Sequence, residues 1–178
     1  MRQLCAQGKI PAACEIIESI IETGEKVLVF ASFIDPLEKI LTRFKNKAVM
    51  ITGKTPVEDR GGIVRQFQTD GNVQIFLGGY NSAGVGISLT SATNFIAIDF
   101  PWNPSQLRQA IDRLHRPGQT ANSVNIYQLS AINTIDDDMK DILDYKQGVF
   151  DRVIDGKMRQ EVSDTLMNTV IKGVLKKY

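Results

Sequence analysis

The segment Lys26–Ser32, KVLVFAS, constrains the fold of this chain most. Apolar residues follow one another there without polar alternation, so neither side of the strand they form can face water. Such a strand is buried on both faces, as in a parallel sheet covered by helices. The neighbouring sequence supplies those helices. Pro11–Thr23 places Ala13, Ile16, Ile17, Ile20 and Ile21 at helical spacing, and Gly24 ends the pattern. Ile34–Phe44 repeats it through Leu37, Ile40, Leu41 and Phe44. Pro56–Phe67 reads as a third helix, with Thr55 as N-cap and Pro56 in the first turn. Pro104–Arg116 reads as a fourth, terminated by Pro117 and Gly118. Between these helices Ala48–Ile51, Val73–Leu77, Asn94–Asp99 and Ser123–Leu129 read as strands, and Gly78–Ser91 as a Gly- and Ser-rich loop. The alternation predicts the α/β class, a parallel sheet of about five or six strands with helices on both faces.

After Asn133 the pattern is helical only. Residues 1–24 are therefore expected to be a lead-in segment and first helix, 25–133 the α/β lobe, and 134–178 a helical extension that packs on the lobe through Ile135, Met139, Ile142, Leu143, Phe150, Val153 and Ile154. Lys plus Arg number 21 and Asp plus Glu 20, so binding to nucleic acid by bulk charge is excluded and any such site is a local patch. Cys5 and Cys14 are the only cysteines and His115 the only histidine, which speaks against a disulfide framework and a His-based metal site. No apolar run reaches the roughly 20 residues that cross a bilayer, and no secretory h-region follows Met1. The expected setting is intracellular: cytoplasmic for a bacterial or viral source, nuclear for a eukaryotic one.

The chemistry concentrates in Gln109-Ala-Ile-Asp-Arg-Leu-His-Arg-Pro-Gly-Gln119. Arg113 and Arg116 are three apart, which on one helix puts them on the same face about 4.5 Å apart along the axis. Two guanidiniums on one face repel unless an anion or a carboxylate lies between them, and the planar fork of Arg suits phosphate. A bland reading pairs Arg113 with Asp99 or Asp112 and leaves Arg116 solvated. The turn at Gly84 and Gly86 can bring backbone N–H groups against a phosphate, with Ser88 and Thr90 adding hydroxyls. It fails as a dinucleotide fingerprint, because Leu89 stands where a third Gly is needed. Gly53-Lys54-Thr55 fails as a Walker loop, because Ala48 holds the position of its first Gly. Asp136-Asp137-Asp138 reads as a solvated first helical turn favoured by the helix dipole and not as a metal site. Trp102 fits either the sheet rim, near nucleic acid, or the core.

The string from Gln109 to Gln119 resembles motif VI of the SWI/SNF-related ATPases, helicase-like DNA translocases of superfamily two, whose pattern Gln-Ala-x-x-Arg-x-x-Arg-x-Gly-Gln is met at every fixed position. Trp102-Asn103-Pro104 is similar to the family's Trp-Asn-Pro block, Ala83–Leu89 to its motif V, and Lys26–Ser32 to its motif IV. Gly53, Arg60 and Phe67-Gln68 fit the segment between them, and Thr134–Asp137 with Lys146 resembles the helix after the last strand. The resemblance implies the second, C-terminal RecA-like lobe of a two-lobe motor. It implies Arg113 and Arg116 as arginine fingers, with Gln109, Gly84 and Gly86 near the nucleotide. It implies DNA contacts at Ser32, Gly53, Asn81, Ser88, Thr90 and Trp102, and no metal ligand. The ligand is then ATP with Mg, held mainly by the N-terminal lobe of the same protein, and the other partner is DNA, double-stranded by the family's habit. A piece of a longer protein, inactive toward ATP by itself, is the corresponding expectation. Two departures bear on the DNA contacts: Gly79-Tyr80 stands where Ser-Thr is usual and Ser88 where Asn is usual, so Asn81, Ser82 or Tyr80 has to compensate. A strand-separating helicase of the same superfamily and a non-catalytic lobe that binds a partner or nucleic acid are the alternatives.

Overall fold

A computed structural model describes residues 1–82, 87–114, 116–119, 121 and 123–154. The helices are α1 (Arg2–Gly8), α2 (Ile10–Glu22), α3 (Ile34–Arg43), α4 (Val57–Thr69), α5 (Pro104–Ile111) and α6 (Ile135–Ile154). The strands are β1 (Val27–Ala31), β2 (Ala48–Ile51), β3 (Ile75–Gly79), β4 (Asn94–Ala97) and β5 (Asn125–Gln128). They form one five-stranded sheet in the order β2-β3-β1-β4-β5, parallel at every pairing. This is the expected RecA-like α/β architecture.

The central strand is the one with the continuous apolar run. All five residues of β1 are buried, and its alternate side chains enter two separate cores. Val27, Val29 and Ala31 join Ile17, Ile20, Leu37 and Ile40 beneath α2 and α3. Leu28 and Phe30 join Phe67, Phe76, Phe95, Ala110 and Leu114 beneath α4 and α5. Helices thus cover both faces, and each fully buried Leu, Ile or Phe contributes about 1.5–3 kcal/mol of transfer free energy.

Residues 2–22 are part of this packing: α1 and α2 bury Ala6, Ala13, Cys14, Ile17 and Ile20. Burial raises the pKa of the Cys14 thiol, as an apolar surround should. The start of α6 is fixed by a buried ion pair. Lys9 Nζ lies 2.6 Å from Asp136 Oδ2, with side-chain exposures of 7% and 5%, and it also donates to the Leu129 carbonyl at 3.1 Å. Asp136 is therefore not the solvated first-turn residue that the sequence suggests, because the α1–α2 corner brings a cation to it. Asp137 accepts from the Asn133 amide at 2.7 Å. Met139 and Leu143 of α6 pack on Phe100. The side chains of Phe150, Val153 and Ile154, and residues 155–178, lie outside the described residues.

Three local expectations change. Pro56, not Thr55, is the N-cap of α4, because Thr55 Oγ1 accepts from the Thr52 amide at 3.0 Å and closes the turn after β2. The helix α5 stops at Ile111, short of Arg116, where Arg113 bonds to Ile87 and Leu89. Among the described residues the strand β5 pairs only with β4, and all four of its residues are exposed. It is an exposed edge that alternates little in polarity and leaves Ile126 and Tyr127 open to solvent, unlike the inner strands. Among the described residues no helix is long and apolar enough to cross a membrane.

Candidate functional site

Parallel pairing brings the carboxyl ends of the strands to one edge of the sheet. There β1 leads to α3 on one face and β4 leads to α5 on the other, the arrangement that opens a crevice at a sheet edge. At this point Ser32 meets Asp99. The Ser32 amide and hydroxyl both donate to Asp99 Oδ1, at 2.9 and 2.8 Å. Asp99 is 3% exposed, and its Oδ2 is buried without a hydrogen-bond partner among the described residues. Burial raises its pKa, against the lowering effect of the two Ser32 bonds.

Beside it a cleft of about 210 Å³ is lined by Ser32, Thr52, Gly53, Asn81 and Ser82. Three residues expected to meet DNA, namely Ser32, Gly53 and Asn81, therefore share one cleft, and all three are exposed. Asn81 Oδ1 accepts from Gln106 Nε2 at 2.5 Å, which ties the cleft to the first turn of α5. The two candidates for compensation beside Asn81 face inward instead. Tyr80 is 8% exposed and donates its hydroxyl to the Asp99 carbonyl at 2.9 Å. Burial raises the Tyr80 pKa well above its ordinary value. Ser82 is buried and donates to the carbonyls of Gly79 and Ile51 at 3.1 and 3.3 Å. The departure at Gly79 has a steric reason: a Cβ there would lie 2.8 Å from Ser82 Oγ. Arg60 braces the same wall, donating to the carbonyls of Thr55 and Ser82.

The arginine pair sits on the α4–α5 face. Arg113 and Arg116 do not share a helix. Asp112 caps α5, and the chain turns through residues 112–114. The reason is competition from the loop after the glycine segment. The Arg113 carbonyl accepts from the Leu89 amide at 3.1 Å, while its guanidinium donates to the Ile87 carbonyl at 3.1 Å. Arg116 donates to Ser88 Oγ at 3.4 Å. Gln119 donates to the Ala92 carbonyl at 2.9 Å, and Gly118 turns with a φ of +108°, a conformation that favours glycine. From the other side Gln68 of α4 donates to the Ser88 carbonyl at 2.8 Å and accepts from the Ser91 amide at 3.0 Å. Residues 87–92 are thus bonded on one side to α4 and on the other to 113–119.

Arg113 is 7% exposed. Burial lowers its pKa first, and the charge of Arg116 second. Among the described residues neither arginine forms an ion pair with a carboxylate, so the bland pairing with Asp99 or Asp112 is not what holds them. The charge of Arg116 thus acts on Arg113 against that of the neighbouring Asp112.

Ser88 and Thr90 belong with the arginines and not with the cleft. Thr90 Oγ1 lies beside Gly118. Gln109 is exposed on α5, about one turn before the arginines. Trp102 stands apart at the rim, 50% exposed, with Lys146 Nζ 4.6 Å and Arg2 6.0 Å from its ring centroid. It is not a core residue. Lys146 also donates to the Trp102 carbonyl at 2.8 Å, and burial lowers its pKa. Gly84, Gly86 and His115 lie outside the described residues. Among those described, no group of three or more His, Cys, Asp or Glu is placed to hold a metal ion. Sequence reasoning noted Phe67-Gln68 without a role for the amide and left Asp99 without a site role; both act over 20 or more residues of sequence, where no local pattern exists.

A model of the helicase conserved C-terminal domain matches residues 8–118. The chain belongs to the helicase conserved C-terminal domain family. Its relatives are SNF2-family ATPases. The ATP-dependent helicase FUN30 of Saccharomyces cerevisiae is 32% identical over 172 residues, covering 94% of this chain and 15% of that protein. The chromatin-remodeling ATPase INO80 of Lodderomyces elongisporus is 32% identical over 159 residues, covering 88% of this chain and 10% of that protein. Among solved structures, the lobe is similar to the C-terminal part of the Fun30 ATPase domain, with a TM-score of 0.71 and 31% identity over 95% of this chain and 54% of that one. It is also similar to the SWI2/SNF2 ATPase core of Sulfolobus solfataricus, solved in complex with dsDNA, with a TM-score of 0.65 and 31% identity over 84% of this chain and 32% of that one. The lobe thus spans a small part of the curated relatives it matches.

Proposed function

We propose that this chain is the second motor lobe of an ATP-dependent DNA translocase, and that it works across a cleft from the N-terminal lobe of the same protein. ATP is the substrate, with its magnesium held mainly by that other lobe. Arg113 and Arg116 are the arginine fingers. The observation that carries this reading is their arrangement: two adjacent guanidiniums, unpaired with carboxylate among the described residues and fastened to one loop. A guanidinium has five donors, so the bond of Arg113 to Ile87 persists while others meet phosphate oxygens. A phosphoryl group arriving between the arginines relieves their repulsion and gains most when its charge grows in the transition state. Gln109, Gly84 and Gly86 are assigned to the nucleotide side of the same arrangement.

The DNA backbone is assigned to the cleft at Ser32, Gly53 and Asn81, with Ser88, Thr90 and Trp102 as further contacts. Double-stranded DNA is the proposed partner, supported by the duplex in the similar archaeal core. Because Ser88 adjoins Arg116 and Asn81 is tied to α5, lobe closure on ATP passes to the DNA groups through short polar links. The site of action is intracellular, nuclear for a eukaryotic parent. The division into a lead-in segment, a lobe and a helical extension is likewise proposed.

The test is DNA-stimulated ATP hydrolysis by the full two-lobe protein with Arg113→Ala and Arg116→Ala. A fall of about 10³-fold in kcat with DNA binding retained is expected. Unchanged turnover in both variants overturns the finger assignment and leaves a binding lobe.

A further inference from the structure

The two bonds made by Gln68 have opposite polarity and meet one short stretch of backbone. Its Nε2 donates to the Ser88 carbonyl at 2.8 Å, and its Oε1 accepts from the Ser91 amide at 3.0 Å. Only one orientation of the amide serves both partners, because a carbonyl cannot donate and an N–H cannot accept. The side chain therefore acts like a neighbouring strand for residues 88–91.

The position of Gln68 is itself over-determined. It lies in the last turn of α4. The preceding Phe67 is fully buried, and its ring packs on Phe76 with centroids 5.5 Å apart. Lys26 Nζ donates to the Phe67 carbonyl and, at 2.8 Å, to that of Asp70, closing the end of the helix. Burial lowers the Lys26 pKa, as expected for an ammonium drawn in to cap carbonyls. On the far side, the same Ser88 that Gln68 holds by its carbonyl receives Arg116 on its hydroxyl at 3.4 Å. Leu89, fully buried, bonds through its amide to the Arg113 carbonyl.

We propose that Gln68 is a positioning residue for the arginine pair: by clamping Ser88 and Ser91 to the rigid end of α4 it fixes the loop on which Arg113 and Arg116 rest, and it acts on Arg116 through Ser88. This rests on the finger reading given above. Gln68 touches no reacting group. Its effect is on where a guanidinium points, and misplacement of about 1 Å costs about 10²-fold in rate.

The experiment uses the full two-lobe protein with Gln68→Glu and Gln68→Ala, each alone and combined with Arg116→Ala. Gln68→Glu keeps an acceptor for Ser91 but sets a carboxylate oxygen against the Ser88 carbonyl. DNA-stimulated kcat is expected to fall about 10- to 100-fold in both variants, with the KM for ATP and the thermal midpoint little changed. In the Arg116→Ala background, Gln68→Glu should add less than about 3-fold, since two residues acting through one contact are not additive. Amide exchange supplies a readout independent of turnover: Ser91 should lose protection in Gln68→Ala and keep it in Gln68→Glu. Unchanged kcat in Gln68→Glu, full additivity with Arg116→Ala, or unaltered Ser91 exchange in Gln68→Ala overturns the proposal. Unchanged kcat in Arg116→Ala alone is a different failure, that of the finger reading.

Discussion

On the α2–α3 face of the sheet the buried cluster is aliphatic apart from Cys14 and Phe44 and is closed by whole helices. On the α4–α5 face it is built on rings, with Phe30, Phe67, Phe76, Phe95 and Tyr80 in contact, and a polar loop interrupts its cover. The helices differ too. The first face has the 13-residue α2 with Ile17 and Ile20 buried, while the second has the eight-residue α5 and an α4 that carries Gly61 and Gly62 in its interior. The arginine pair, Gln68, Ser88 and Thr90 all belong to the second face. Aromatic packing there gives a stiff floor, and the loop above it is held by side-chain-to-backbone bonds, which can be exchanged without unpacking a core. The second face carries the groups proposed to act on the nucleotide, while the cleft assigned to DNA opens at the sheet edge beside α3 of the first.

The sharpest way to break this comparison is to weaken each face alike. Phe67→Ala should destabilise the fold by about 3–5 kcal/mol and Ile17→Ala by about 2–5 kcal/mol, read by urea unfolding. In the two-lobe protein, at a temperature where both stay folded, only Phe67→Ala should lower DNA-stimulated turnover, because Gln68 follows it. Equal loss from Ile17→Ala would show that the faces are not functionally distinct.

Next in size is the buried pair on the first face. Lys9→Met leaves Asp136 buried and uncompensated and should cost about 3–5 kcal/mol. It should also free the start of α6, seen as faster amide exchange at Ala131, whose N–H bonds to Asp136 Oδ2.

A smaller effect follows from Asp99, at the seam between the faces. Burial raises its pKa in the folded state, so the folded chain favours the protonated acid. That contribution to stability is present below the ordinary carboxylate range and is lost as pH rises through the raised value. Relative to Asp99→Asn, the parent should therefore lose stability as pH rises above the ordinary carboxylate range. A difference that grows in favour of the parent with rising pH would contradict this.

The smallest effect sharpens the comparison of helices. A Cβ at Gly61 or Gly62 meets nothing within 4 Å, and neither needs a positive φ. Gly61→Ala and Gly62→Ala should each stabilise the chain by about 0.5–1 kcal/mol in thermal unfolding. Stabilisation without change in turnover would make these glycines neutral; a loss of turnover would show that the α4 surface is approached closely in the assembled motor.

What the sequence by itself determined was whatever depends on local period and on short motifs. The unbroken apolar run of β1 dictated a strand covered on both sides, and the helical spacing of Ile16, Ile17, Ile20 and Ile21 dictated α2. The string from Gln109 to Gln119 carried the family, because its fixed positions are contiguous and chemically distinct. Tertiary structure alone decided the rest. The end of α5 at Ile111 depends on Leu89 and Ile87 bonding Arg113, and the burial of Asp136 depends on Lys9, 127 residues away in sequence. The inward turn of Tyr80 depends on the Asp99 carbonyl, and the role of Gln68 on a loop 20 residues further along. Helix and strand periods are set by neighbours in the chain. Hydrogen bonds of side chains to distant backbone are set only once the parallel sheet has brought its strand ends to one edge, and no local pattern encodes them.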